Sequence, residues 1–558
     1  MKHISSFSQL IRWPLLLLVL LLGTAAARAQ APGWQAAIAA SGSSSQVTCV
    51  ATDAAGNVFV GGYFSGTLSL SSLTLTGRGS ADAFVAKWSP TINSFVWVQP
   101  FGNAGQDEIF ALAVSGNSVY VAGDFSTSAA FGPTTLTSVG LTDAFVAKLV
   151  DAGNSSTVAW AQRMGGAGFD AGTALAVNGA SVYVGGSYTD SAADFGPYNL
   201  ANLGNTDGFI AKLADAGPTA SFAWAQGLGG AVSDRVLGLA VVGSTVYATG
   251  YFTGVGWFGT TTFSSLGRSD VFVAKLVDAG GTVSFGWVQR AGGVDDEQGR
   301  ALVVRGTEVY VTGVFYGLAT FGTTVLTSAG LEDVFVTRLS DAGALASYAW
   351  AQRFGGGGID WGNALVVNSG SIYVGGAFTG STVIGPNTLL SAGSYDGFVA
   401  RLAENATGAT VVWGQQLGGV QFDQAQGVVI SGARLYVAGT LSPPAAIGPF
   451  TIPVGIGINN QFGFLATVGA TALGTAAAMA PGAVACVPNP AHGRATVQLP
   501  AGTPTATLTV LDALGRPVRT QTATGTRAEL DLTGLAPGFY AVRVQAGAAT
   551  ATQRLVVE

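Results

Sequence analysis

The sequence predicts an all-β chain: a seven-bladed β-propeller of four-stranded blades, its N-terminal strand closing the last blade, followed by a small Ig-like β-sandwich. Three observations predict it. Trp34, Trp97, Trp160, Trp224, Trp287, Trp350 and Trp413 recur at intervals of 63, 63, 64, 63, 63 and 63 residues. In phase with them run Gly62, Gly123, Gly186, Gly250, Gly313, Gly376 and Gly439, each closing an apolar run, and an Asp-x-Phe-(Val/Ile) series at Asp82, Asp143, Asp207, Asp270, Asp333 and Asp396. Self-similarity at a fixed period marks a repeat array. Finally, 48% of residues are apolar and only 10% charged, so most side chains must be buried.

The elements follow in order. Lys2, His3 and Arg12 precede an apolar run from Leu15 to Leu22, and Ala27-Arg28-Ala29 offers small residues for signal cleavage, so residues 1–29 read as a signal peptide. A retained anchor is the rival reading. Cleavage removes Lys2, Arg12 and Arg28 and no acid, making the formal charge of −6 more negative by three and nucleic acid an unfavoured partner. No later apolar run approaches the roughly 20 residues needed to span lipid, so the mature chain carries no transmembrane segment.

Each period then holds four strand-like runs, a to d. In the second copy they are Ala111 to Val114, Ser118 to Phe125, Asp143 to Val150 and Val158 to Met164, rich in β-branched and aromatic residues. The chain opens with a lone d-type strand at Trp34 and the array stops after a c-type strand at Phe464 to Val468. Pairing of Trp34 to Ile38 with Phe464 to Val468 would complete one blade and leave no open edges. The propeller is therefore placed at residues 30–468, an Ala/Gly/Thr-rich linker at 469–483, and alternating strands of a β-sandwich at 484–558.

Two resemblances sharpen this reading. The Gly-Gly after the Trp strand (Gly165-Gly166, Gly229-Gly230, Gly292-Gly293, Gly355-Gly356, Gly418-Gly419), the Tyr-Val-x-Gly run and Asp-x-Phe-Val-Ala-Lys-Leu resemble the SBBP-type bacterial β-propeller repeat over residues 34–468. That family carries no general catalytic motif. Pro488-Asn489-Pro490, the run Asp512 to Arg516 with Gly515, the run Leu535 to Tyr540 with Gly538, and Arg554 to Val557 resemble the type A sorting domain of type IX secretion in Bacteroidetes. This resemblance implies the type IX machinery and a sortase as partners, and a secreted or surface-attached product. A plain accessory domain is the alternative.

Catalytic chemistry has few carriers. Beyond His3 the chain holds one histidine, His492, so the array lacks Ser-His-Asp and Cys-His constellations and His-rich metal sites. Cys49 and Cys486 are too sparse for a disulfide scaffold or a zinc site. Asp107, Asp170, Asp234, Asp296, Asp360 and Asp423 recur between strands d and a, at the same end of the array as the Asp82 to Asp396 series. Such a face could hold Ca²⁺ or accept hydrogen bonds from sugars, although an Asp repeated at a turn ordinarily bonds nearby backbone N–H groups. The repeated Trp reads as inter-blade core, the Gln two residues on as a partner for backbone groups, and Lys87, Lys148, Lys212, Lys275, Arg338 and Arg401 as cations reaching solvent.

Residues that break the repeat bear more on binding. The b-to-c connections of about 17 residues are long for a compact domain, and Trp88, Trp257, Tyr316 and Trp361 are aromatics outside the periodic pattern. The expectation is a non-enzymatic exported scaffold binding glycan, protein or matrix, with no cofactor beyond a conceivable Ca²⁺. Its alternatives are a carboxylate-dependent polysaccharide-active enzyme using Asp295, Asp296 and Glu297, and a purely structural envelope component.

Overall fold

A computed structural model describes residues 31–189, 191–405, 407–452, 461–469, 477–478, 484–499, 505–512, 517–546 and 549–558. The signal segment with Ala27 and Ala29, and Gly515, lie outside the described residues. The described chain is all-β and divides into two compact units at residues 470/471. No helix among the described residues is long and apolar enough to cross a membrane.

The first unit repeats one antiparallel four-stranded element. In its second copy, strand a is Asp107–Ser115, b is Ser118–Phe125, c is Asp143–Asp151 and d is Ser156–Met164, paired in that order. The seven a strands are Ser41–Thr52, Asp107–Ser115, Ala171–Asn178, Arg235–Val242, Glu297–Arg305, Asp360–Asn368 and Gln424–Ser431. Each packs against the next, and Gln424–Ser431 also packs against Ser41–Thr52. In the seventh copy the N-terminal strand Trp34–Ala39 takes the d position, pairing with Phe462–Val468 from Trp34↔Val468 to Ala39↔Phe464. Tyr436, Ala438 and Leu465 of that copy share a hydrophobic core with Val58, Val60 and Phe84 of the first.

Trp34 sits out of phase with the other tryptophans. Trp160 and Trp413 pair with Lys148 and Arg401, whereas Trp34 pairs with Val468, one step beyond the equivalent Thr467. It packs on Gly448 as Val158, Phe222 and Phe285 pack on Gly132, Gly196 and Gly259. The register of the N-terminal strand is thus displaced by two residues, and Ala36 stands opposite Thr467.

The b-to-c connections are β-hairpins rather than open loops, for example Ser128–Phe131 with Thr134–Thr137. The start of a hairpin pairs with the end of strand d in the preceding copy, as Gly229↔Trp257 and Gly230↔Gly256. This explains the doubled glycine: a Cβ on Gly230 would lie 1.6 Å from the Val255 carbonyl oxygen.

At the opposite end of the strands the cations behave unlike the sequence expectation. Lys87, Lys148 and Lys212 are buried and bind an Asp at the end of strand c in the next copy. Lys212 Nζ lies 2.5 Å from Asp278 Oδ2, Tyr183 OH donates to the same oxygen at 2.7 Å, and Trp224 Nε1 donates to Oδ1 at 3.0 Å. The pattern recurs at Asp151, Asp215 and Asp341 with Lys87, Lys148 and Lys275. Arg338 and Tyr310 meet Glu404 at the fifth boundary, where the Trp350 indole N–H has no acceptor among the described residues. The reason the lysines turn inward is the fixed acid across the boundary, which compensates the desolvated ammonium.

The second unit has two sheets. One joins Ala477–Ala478, Ala549–Val557, Gly538–Ala546, Thr505–Leu511 and Pro517–Thr524 in that order, and the other joins Ala485–Val487, Arg494–Gln498 and Arg527–Asp531. Val497, Leu508, Val510, Leu530, Val542, Val544 and Leu555 form its core. Between Pro488 and Pro490, Asn489 clasps the last strand, donating to the Arg554 carbonyl at 2.7 Å and accepting from the Val556 N–H at 2.8 Å. Tyr540 OH donates to the Ala536 carbonyl at 2.9 Å, closing the turn that carries Gly538.

Candidate ligand-binding site

The repeated acids do not form an open acidic face. Asp107, Asp170, Asp234, Asp360 and Asp423 are buried at the start of strand a. Each accepts a hydrogen bond from the backbone N–H four residues earlier, at 3.2, 2.7, 2.6, 2.8 and 2.8 Å in that order. Asp296 is not the fifth copy's member. Glu297 is, fully buried and accepting from the Gly293 N–H at 2.7 Å, while Asp296 lies at the surface against Arg268 and Ser269. The longer Glu side chain reaches the same amide, so the sequence expectation slipped by one residue. The expected Asp295, Asp296 and Glu297 cluster is accordingly divided between surface and interior.

The strand c acids Asp82, Asp143, Asp207, Asp270, Asp333 and Asp396 are buried as well and bond the turn four residues back in the same way. Asp82, Asp207, Asp270 and Asp333 each come close to the strand a acid of the next copy, with a glycine between them. A Cβ on Gly102 would meet Asp107 Oδ2 at 2.5 Å and Asp82 Oδ1 at 2.8 Å. Burial first, with the neighbouring carboxylate adding, pushes the Asp107 and Asp234 carboxyls up to about 7 and Glu297 to about 8, against the pull of the turn amides. Among the described residues no group of three or more His, Cys, Asp or Glu side chains is placed to hold a metal ion.

The concavity lies elsewhere, where strands a converge. Two positions alternate toward the shared axis, the first and third residues after the acid. They read Gln46, Glu108, Ala171, Arg235, Gln298, Trp361 and Gln424, then Thr48, Phe110, Thr173, Leu237, Arg300, Asn363 and Gln426. The repeat fails here, as it does at the exposed end of the strand (Ser115, Asn178, Val242, Arg305, Asn368, Ser431), whereas the positions from the fourth to the seventh after the acid stay small and apolar in nearly every copy. Positions between two copies must fit the same neighbour every time, whereas axial positions face a common space and are free to differ.

A cavity of about 350 Å³ opens at this place. Trp361, Phe110 and Tyr63 give it aromatic walls, and Gln46, Asn363, Gln424 and Gln426 give it amides. Trp361 is fixed from three sides. Its ring stacks on Tyr395 with centroids 4.9 Å apart and an interplanar angle of 29°, its indole N–H donates to Glu332 at 2.5 Å, and the Arg300 guanidinium lies 5.0 Å from its centroid. Arg300 donates to Asn363 Oδ1 at 2.8 Å, and burial lowers its pKa to about 10. Beside Tyr63, Glu108 pairs across the strands with Asp124, whose carboxyl burial and then Glu108 and Asp107 push up to about 8. Such a carboxyl is a proton or hydrogen-bond donor at neutral pH.

Of the aromatics singled out in the sequence, Trp361 alone lines this cavity. Trp257 is 40% exposed on an outer hairpin, Tyr316 lies beyond the end of strand b in the next copy, opposite Glu332, and Trp88 is buried against Phe95. The sequence reading does not single out Arg300 and the amides, although their signal is present as two alternating strand a positions that do not recur.

Residues 486–558 match the family model described as secretion system C-terminal sorting domain. The C-terminal domain is a type IX sorting domain. It directs export of this chain to the cell surface or beyond. No curated protein matches the chain. Among solved structures, a mutant of Trypanosoma rangeli sialidase displaying trans-sialidase activity is 10% identical, with 80% of this chain and 82% of that chain covered at a TM-score of 0.30. Trypanosoma rangeli sialidase with the inhibitor DANA is 9% identical, with 80% and 83% covered at a TM-score of 0.32. These neighbours are enzymes, and the expectation that the chain is not an enzyme is withdrawn on that finding. At these scores they transfer no activity to it.

Proposed function

We propose that the chain, cleaved after residue 29, is a seven-bladed propeller of SBBP-type repeats at residues 30–468, carried to the surface by an Ig-like sorting domain at 484–558, and that it binds a glycan at its axial mouth. The closed ring is supported by the Trp34–Ala39 ladder and by the packing of the seventh a strand on the first. The glycan reading is carried by one observation: the array abandons its repeat at the positions lining a cavity walled by Trp361, Phe110 and Tyr63. Aromatic faces suit the C–H surfaces of a sugar ring, and amides, as donor and acceptor at once, suit its hydroxyls. The volume falls in the range of small-ligand pockets, roughly 300–1,000 Å³.

A glycan array with the exported protein, followed by calorimetry on the hits, tests the reading. Trp361→Ala should abolish binding and Trp257→Ala, on the outer hairpin, should leave it unchanged. Hits that persist in Trp361→Ala would place the ligand elsewhere.

A further inference from the structure

Arg300 poses a charge problem that the protein leaves unsolved. Its guanidinium has five N–H donors. Two reach neutral amide oxygens, Asn363 Oδ1 at 2.8 Å and Gln298 Oε1 at 3.5 Å, and no carboxylate pairs with it within ion-pair distance among the described residues. The nearby acid is Glu332, whose carboxylate is engaged by the Trp361 indole N–H. Arg163, Arg338 and Arg353, by contrast, each hold a carboxylate at 2.6 to 3.0 Å. A desolvated cation beside an open cavity, stacked on an aromatic ring and braced by amides, is a preorganised anion receptor.

We propose that the axial cavity recognises a carboxylate-bearing sugar, a hexuronic acid residue, whose carboxylate is gripped by Arg300 while its ring lies among the aromatic walls. This rests on the glycan reading above and names its ligand class. The guanidinium is planar, lies over the Trp361 ring and is tied to Asn363, and its remaining N–H donors are of the kind that pair with the two oxygens of a carboxylate. Neutral amides around it discriminate little among hydroxyl patterns, which leaves the carboxylate as the main selector.

The experiment is calorimetry of the exported protein with glucuronate and oligouronates, with glucose and the matching neutral oligosaccharides, and with inorganic phosphate and sulfate. Uronates should bind at least tenfold more tightly than their neutral counterparts, and more weakly as salt rises. Arg300→Gln should lower uronate affinity roughly 10- to 100-fold and neutral-sugar affinity by a much smaller factor, since Arg300 also braces Trp361, with Arg300→Lys between the two for uronates. Should Arg300→Gln fail to fold, competition between glucuronate and glucose on the unaltered protein decides the matter. Equal binding of neutral and acidic sugars would overturn the carboxylate assignment and keep the glycan site. Phosphate or sulfate outcompeting glucuronate would also overturn it. Absence of any Trp361-dependent sugar binding would overturn both readings.

Discussion

The two ends of the repeated strands treat buried carboxylates in opposite ways. At the strand c terminus, Asp215, Asp278 and Asp341 each meet a lysine, a tyrosine and a tryptophan from the preceding copy. Burial alone would raise the Asp341 carboxyl, yet Lys275, Tyr247, the Gly343 amide and Trp287 together hold it down to about 2. At the starts of strands a and c the acids face turn amides and one another, and the pKa values of Asp107, Asp234 and Glu297 rise, chiefly by burial. The same residue type is a charged clamp at one end and, more deeply buried, a carboxyl that holds its proton more tightly at the other. Depth of burial and the partner across the boundary together decide which.

The largest expected effect breaks the clamp. Asp278→Ala removes the acceptor of Lys212, Tyr183 and Trp224 together and strands a buried ammonium, so chemical denaturation should show a loss of about 3–5 kcal/mol. A loss under 1 kcal/mol would mean that the boundary is held by apolar packing alone.

Next comes pH. A carboxyl whose pKa is higher folded than unfolded binds its proton more tightly in the native state, so its contribution is complete below about pH 4 and is lost as pH rises through the folded value. Asp207, Asp270, Asp360 and Asp423 at about 6, Asp107 and Asp234 at about 7 and Glu297 at about 8 set that window. Asp341 runs the other way, and its contribution is lost only as pH falls through about 2. The melting temperature should therefore fall between pH 5 and pH 9, and Glu297→Gln should flatten the upper part of that fall. A melting temperature that rises over this range would contradict the paired-carboxyl account.

The smallest effect sharpens the comparison within one end. Trp224 donates to Asp278, whereas the buried Trp413 indole N–H has no acceptor among the described residues. Trp224→Phe should cost about 0.5–1.5 kcal/mol more than Trp413→Phe by denaturant titration. Equal costs would show the Asp278 bond to be without net value.

Much of this was legible beforehand. The period of 63 residues, the four strands per copy and the N-terminal strand beside Phe462–Val468 follow from phase alone. The Gln series was read correctly as serving backbone carbonyls, as Gln162 and Gln289 do at Ala220 and Ala346. Three readings failed for identifiable reasons. Asp296 was chosen over Glu297 because residue type was matched in place of reach. The lysines read as solvent-reaching in the sequence because their acids lie 64 to 67 residues away. Trp34 was assigned the tryptophan position because a two-residue change of register is invisible in spacing.

The sequence by itself determined what depends on repetition and local pattern: the class of fold, the number of copies and the C-terminal export signal. Only tertiary structure decided which acids are charged, and that Arg300, Trp361 and Asn363 share one cavity with Gln46 and Phe110. Those facts depend on groups brought together from different copies, and neither burial nor the sign of a neighbour is written in the spacing of residues along a strand.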